Sequence, residues 1–179
     1  MSRFAVGRPA PAEYHAYFGR YIDRVPEDDV VAALEAQHGL LTRTLGALGE
    51  EQAAFRYADG KWSIREVVGH LTDTERIMVY RALAFARGET GPLPGFDENA
   101  YVRGAAFDAV PLGQLLAEFE AVRIATLYFA RHLTAEAWVR AGTANGKTMS
   151  VRALLYVVAG HLPHHLGVLY ERYGVTEAK

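Results

Sequence analysis

Apolar side chains recur along this chain at alternating steps of four and three, a period that commits it to helices burying one face. From Val30 the series runs Val30, Leu34, His38, Leu41, Leu45 and Leu48, the seam of one bundle helix. Asp28 and Asp29 stand where negative charge complements the helix dipole. "WSIRE" predicts a second helix. Ser63 as N-cap with Glu66 three residues later forms a capping box, and Gly88 after Arg87 suits its end. A third helix is expected after Pro111, with Leu112, Leu115, Phe119, Val122, Phe129 and Leu133 on one stripe. A fourth runs from near Ser150 to Gly174, and a short helix over Pro11 to Asp23 precedes the first. "TANGKT" at 143–148 contains an Asn-Gly turn, but its flanks lack alternating apolar runs, so no stable hairpin is expected. The fold class that follows is all-α, a four-helix bundle. One segment has no period: "GETGPLPGFDENAYVRGAAFDAV" reads as a long loop between helices two and three. Phe96, Tyr101 and Phe107 within it argue that the loop is packed down.

Composition narrows the function. The 179 residues fit one domain, 1–179, with a substantial core. A net charge of -2 without a basic cluster argues against a nucleic-acid partner. No apolar run approaches the roughly 20 residues of a membrane span, and "MSRFAVGRPAPAEYHAY" lacks an apolar signal core. The chain has no cysteine, which excludes disulfides, thiolate ligands and a cysteine nucleophile, and fits a cytoplasmic protein.

The seven histidines are unevenly spread, and "GHLPHHLGVL" places His161, His164 and His165 in an apolar helix. His161 and His165 lie about 40° apart on the helix surface, on the stripe of Leu154, Val158 and Val168. Side chains at i and i+4 converge, which is how one helix presents two imidazoles to one metal. His164 falls about 100° from His165, at the edge of that stripe. Pro163 cannot donate an N–H and crowds the Ala159 carbonyl, so a local kink is expected. Buried histidine pairs are also held by carboxylates or freed carbonyls without any metal, and a metal site needs a third ligand. His70 is one candidate. "SIREVVGHL" at 63–71 echoes "SVRALLYVVAGHL" at 150–162, with serine-to-histidine spacings of seven and eleven that place the two histidines one turn apart in depth. His38, on the first seam, is the rival. His15 and His132 read as surface residues, and Glu66, Asp73 and Glu75 as caps, partners or solvated charges.

"YADGKWSIREVVGHLTDTERIMVYRALAFARGE", "PLPGFDENAYV" and "SVRALLYVVAGHLPHHLGVLYERYG" resemble the DinB-like superfamily, specifically its YfiT-type branch, over about Val30 to Gly174. The resemblance implies a four-helix bundle that binds a divalent metal, commonly nickel or zinc, through three histidines, here His70, His161 and His165. His164 matches the extra histidine that many relatives place before the last ligand. Where many members continue with Gly-Gln, this chain has Leu166, Gly167 and Val168. The resemblance also implies homodimers and a small-molecule substrate.

Three neutral imidazoles leave a divalent ion with open positions, the arrangement of a catalytic rather than a structural site. Such an ion can activate water against a carbonyl or phosphoryl centre, or hold a substrate thiol as thiolate. Characterised members of the resembled superfamily include transferases and isomerases that use low-molecular-weight thiols, which makes thiol-dependent transfer the expected chemistry. The YfiT-type branch is usually described as hydrolases, the alternative, and a metal-stabilised stress-response module without turnover is a third. Candidate catalytic helpers are His164, as an acid or base, and Arg81, as an anchor for an anionic substrate or a salt-bridge partner. Asp97, Glu98 and Asn99 sit on the loop where a lid would meet substrate. Tyr128 and Tyr156 are either oxyanion donors or core residues with satisfied hydroxyls.

Overall fold

The structure is a computed structural model that describes residues 6–176; the first five residues of the stretch read for a signal core lie outside them. It opens with 3-10 turns at Pro11–Glu13 and Ala16–Phe18 and helix α1 (Gly19–Ile22). The single short helix expected there is broken because Tyr14 and His15 take extended backbone. Next come α2 (Val30–Ala36), whose first amides bond to the Asp29 carboxylate, α3 (Leu40–Leu45) and α4 (Glu50–Ala53). The seam from Val30 to Leu48 is therefore not one helix. Gly39, at φ 74, breaks it, and the change of phase turns His38 out of the core.

Helix α5 (Ile64–Ala86) starts on the expected capping box: Ser63 accepts from the Glu66 amide, and the Glu66 carboxylate accepts from the Ser63 amide at 2.8 Å. Then follow α6 (Glu98–Gly104), α7 (Leu112–Arg131), α8 (Ala135–Val139), strands β1 (Ala141–Ala144) and β2 (Lys147–Ser150), and α9 (Val151–Tyr173). Ser150 caps α9 through the Ala153 amide, and Gly174 closes it at φ 68. No helix among the described residues is long and apolar enough to cross a membrane.

The architecture is a four-helix bundle, with α2 and α3 as one broken member beside α5, α7 and α9. Its core is divided. One apolar cluster takes Val30 to Leu34, Met78 to Ala86, Leu127 to Leu133 and Val151 to Ala159. The other takes Leu41 and Leu45, Ile64 to Leu71, Leu112 to Phe119, and Leu162 to Leu169. Helices α5 and α7 thus both run from the second cluster to the first, while α2–α3 and α9 run the opposite way. Tyr173, at the end of α9, accordingly donates to the carbonyl of Trp62, just before α5, at 2.8 Å.

Parallel neighbours cannot be joined by a short turn. The connection from α5 to α7 must return over the roughly 34 Å of a 23-residue helix, which explains the long aperiodic segment. It is not all loop, because α6 and a 3-10 turn at Phe107–Ala109 lie within it. Phe107 packs down as expected, seated where a Cβ on Gly69 would lie 2.5 Å from its ring. Phe96 packs on the core while Tyr101 stays exposed, its ring 5.3 Å from that of Phe96.

The hairpin that the flanks did not support also forms. Asn145 and Gly146 take φ 51 and 67, the pair of positive values that a tight two-residue turn needs. Its support is tertiary: the Leu93 amide donates to the Thr143 carbonyl at 2.9 Å, and the Asn145 amide to the Leu93 carbonyl at 3.0 Å.

Candidate metal centre

Between the two apolar clusters the bundle carries polar side chains, and the histidines sit among them. His70 on α5 and His161 on α9 are buried, and His165 is half-buried one turn further along α9. The Nε2 atom of His161 lies 3.2 Å from that of His70 and 3.0 Å from that of His165. Three ligand nitrogens around one tetrahedral ion at 2.0–2.1 Å stand about 3.3 Å apart. Two of the pairs are close to that and all three nitrogens lie within 4.8 Å of one another, which suits a single ion. The donor set suits it too. Burial first, then the neighbouring imidazoles, hold His161 and His165 well below the ordinary histidine value. Burial and then His164 bring His70 down to about 4. All three are therefore neutral near pH 7. The Thr74 hydroxyl, 3.4 Å from His70 Nδ1, can accept its proton and leave Nε2 with a lone pair.

The echo between the two serine-capped segments has a different meaning from a one-turn offset in depth. Because α5 and α9 are antiparallel, their N-caps lie at opposite ends, and the two histidines meet from opposite directions. Gly160, immediately before His161, permits another close approach. A Cβ there would lie 1.9 Å from the Tyr21 carbonyl oxygen, so α1 rests directly on the α9 backbone. That contact sets the Tyr21 ring edge-on to His161 and His164, with centroids 5.3 and 5.2 Å away. Trp62 covers His70 at 4.6 Å.

Pro163 does not interrupt α9, which is continuous through it. The Ala159 carbonyl that it deprives of a donor accepts from Gln37 Nε2 at 2.8 Å. Gln37 Oε1 accepts in turn from Arg123 at 2.9 Å, and Arg123 grips Glu75 through Nε and Nη2 at 2.9–3.2 Å. This network is buried, with Arg123 and Glu75 at 1% and 3% exposure. Gln37, Arg123 and the role of Glu75 were missed in the sequence. The available signal was Pro163 itself, since a freed carbonyl four residues earlier demands a donor.

The remaining candidates separate cleanly. His164 and Arg81 line, with the three histidines, a cavity of about 530 Å³. His164 is half-buried, its ring 5.0 Å from that of His165, and its Nδ1 is buried without a hydrogen-bond partner among the described residues. His38 is not in the group; it is exposed and faces Glu120 at 3.2 Å. His15 and His132 are exposed. Tyr156 is buried with its hydroxyl satisfied by the Glu27 carbonyl at 2.9 Å, whereas Tyr128 is exposed rather than packed in the core. Asp97 caps α6, and Glu98 lines the cavity mouth from its exposed position.

A profile of the DinB superfamily matches residues 33–169. A protein of Oceanobacillus iheyensis described as a candidate metal-dependent hydrolase is 28% identical over 68 residues, 38% of this chain. That match spans 39% of the relative's own length. Among solved structures, YfiT from Bacillus subtilis, described as a probable metal-dependent hydrolase with an unusual four-helix bundle topology, superposes with a TM-score of 0.73. It covers 83% of this chain and 88% of YfiT at 22% identity, a likeness of fold.

Proposed function

This chain belongs to the DinB superfamily, and from that premise we propose that it is a metal-dependent hydrolase whose divalent ion is held by His70, His161 and His165. One observation carries this: three neutral imidazole nitrogens converge at the wall of a cavity large enough for a small substrate. A site of purely structural purpose is normally closed by a fourth protein ligand, whereas only these three histidines converge among the described residues. A bound zinc or nickel ion supplies a Lewis acid for a carbonyl or phosphoryl oxygen and makes water a better nucleophile. The chain's own groups do the rest. Thr74 offers His70 Nδ1 an acceptor that leaves Nε2 free for the ion, while Trp62 and Tyr21 wall the histidines. His164, beside His165 in the same cavity, stands where a proton can be taken up and passed to a leaving group.

Thiol-dependent transfer keeps one observation in its favour: the acidic residue that lines the cavity, Glu98, is exposed, and Glu75 near His161 is held by Arg123, so no free carboxylate base among the described residues stands beside the histidines. A low-molecular-weight thiol would then serve as the nucleophile. The deciding experiment begins with elemental analysis of untagged protein. About one divalent ion per chain is expected, lost in His70→Ala and His165→Ala and largely kept in His164→Ala. Esters, amides and phosphoesters are then offered without thiol, beside small thiols with monobromobimane. Hydrolysis abolished by His165→Ala supports the first reading. Turnover only with thiol replaces it with the second, and no metal uptake after zinc or nickel addition overturns both.

A further inference from the structure

Arg81 is a buried cation without a counter-ion among the described residues. It is 4% exposed, and its hydrogen bonds run to the Pro94 carbonyl at 2.9 Å and the Met78 sulfur at 3.7 Å. The Phe96 ring lies 5.7 Å from the guanidinium carbon. No carboxylate among the described residues forms an ion pair with it, although a guanidinium offers five donors and burial of an unpaired charge is strongly unfavourable. Burial accordingly works against its charge.

The position of Arg81 gives that charge a use. His70, Thr74, Met78 and Arg81 follow one another at steps of four, four and three along α5, and all line the same cavity. About 16 Å of helix axis separates the first from the last, and an arginine on a helix leans back toward the N-terminus, here toward the histidines. Met78 and Val157 line the cavity with apolar surface. Half-buried Lys147 also lines it, its ammonium 4.9 Å from the Tyr17 ring centre and without an ion pair among the described residues. The cavity thus joins an imidazole centre, apolar lining and a buried guanidinium.

We propose that Arg81 binds the oxyanion, carboxylate or phosphate, of an elongated amphiphilic substrate whose other end reaches the three histidines. The proposal rests on the histidines being the reaction centre, and it names the class of molecule they act on. Arg81 is then a specificity-determining residue.

The test uses metal-free, full-length protein and calorimetric titration with 4-phenylbutyrate, 3-phenylpropyl phosphate and the neutral isostere 4-phenylbutyramide. At least one anion should bind about tenfold more tightly than the amide, and the gap should close to about twofold in Arg81→Gln. The anion with the larger loss identifies carboxylate or phosphate as the recognised group. Equal binding of amide and both anions, or a preference that survives in Arg81→Gln, overturns the proposal. If that variant does not fold, the Arg81 Nε–H resonance of the wild-type protein takes its place. It should shift with the preferred anion and not with the amide, and the same response to both overturns the assignment. Metal uptake is scored separately. In the wild-type protein, no anion preference with normal metal uptake sinks the Arg81 assignment alone, and anion preference without metal uptake sinks the metal reading alone.

Discussion

Two buried arginines, Arg123 acting on His161 and Arg81 lining the same cavity as His161, are treated by the fold in opposite ways. Arg123, on the sealed side, meets Glu75 through two nitrogens and Gln37 through a third. Arg81, on the cavity side, meets a carbonyl and a thioether. Both lie in the interior, so exposure does not explain the difference. A guanidinium whose partners come from the chain fixes helices against one another. One that lacks them keeps its donors for something that arrives from outside. The sealed side should therefore matter for stability and the open side for binding.

The largest effect expected of that contrast is Glu75→Ala, which leaves the Arg123 charge unpaired in the interior. It should lower stability by about 3–5 kcal/mol in urea unfolding, whereas Glu75→Leu with Arg123→Met should recover most of the loss. Gln37→Ala comes next, at about 1–3 kcal/mol, because it strands the Ala159 carbonyl and an Arg123 donor. In a Pro163→Ala background the residue at 163 regains its N–H, so the same Gln37 change should cost less; a double-mutant cycle measures that coupling. Arg81→Gln should be smallest, within about 1 kcal/mol of wild type, since it removes an unpaired buried charge and keeps a donor for Pro94. Should Arg81→Gln destabilise as much as Glu75→Ala, the two sides would not differ in kind.

Local chemistry made much of this legible in the sequence. Ser63 with Glu66, Pro111, Ser150 and Gly174 mark the ends of the long helices because a cap is a matter of a few neighbouring residues. The i, i+4 relation of His161 and His165 is likewise local. What escaped depends on direction and on distant partners. The parallel course of α5 and α7 cannot be read from either helix's own period. Gly39 looked compatible with a continuing seam, and only its left-handed backbone shows why His38 leaves the core. The hairpin owes its support to Leu93, about 50 residues before its turn. Arg123 and Gln37 are separated by 86 positions, so nothing nearby in the chain announces their pairing.

Gly160 carries a consequence for anyone mapping tolerance in this protein. With Tyr21 backbone occupying the space of its missing Cβ, even alanine would have to push α1 away from α9. A saturation screen of α9 scored on activity would then rank position 160 with the histidines beside it. It contributes no functional group at all. Intolerance in such a screen would record the seating of one backbone on another, and only scoring folded yield alongside turnover would tell a ligand from the empty place that lets Tyr21 approach.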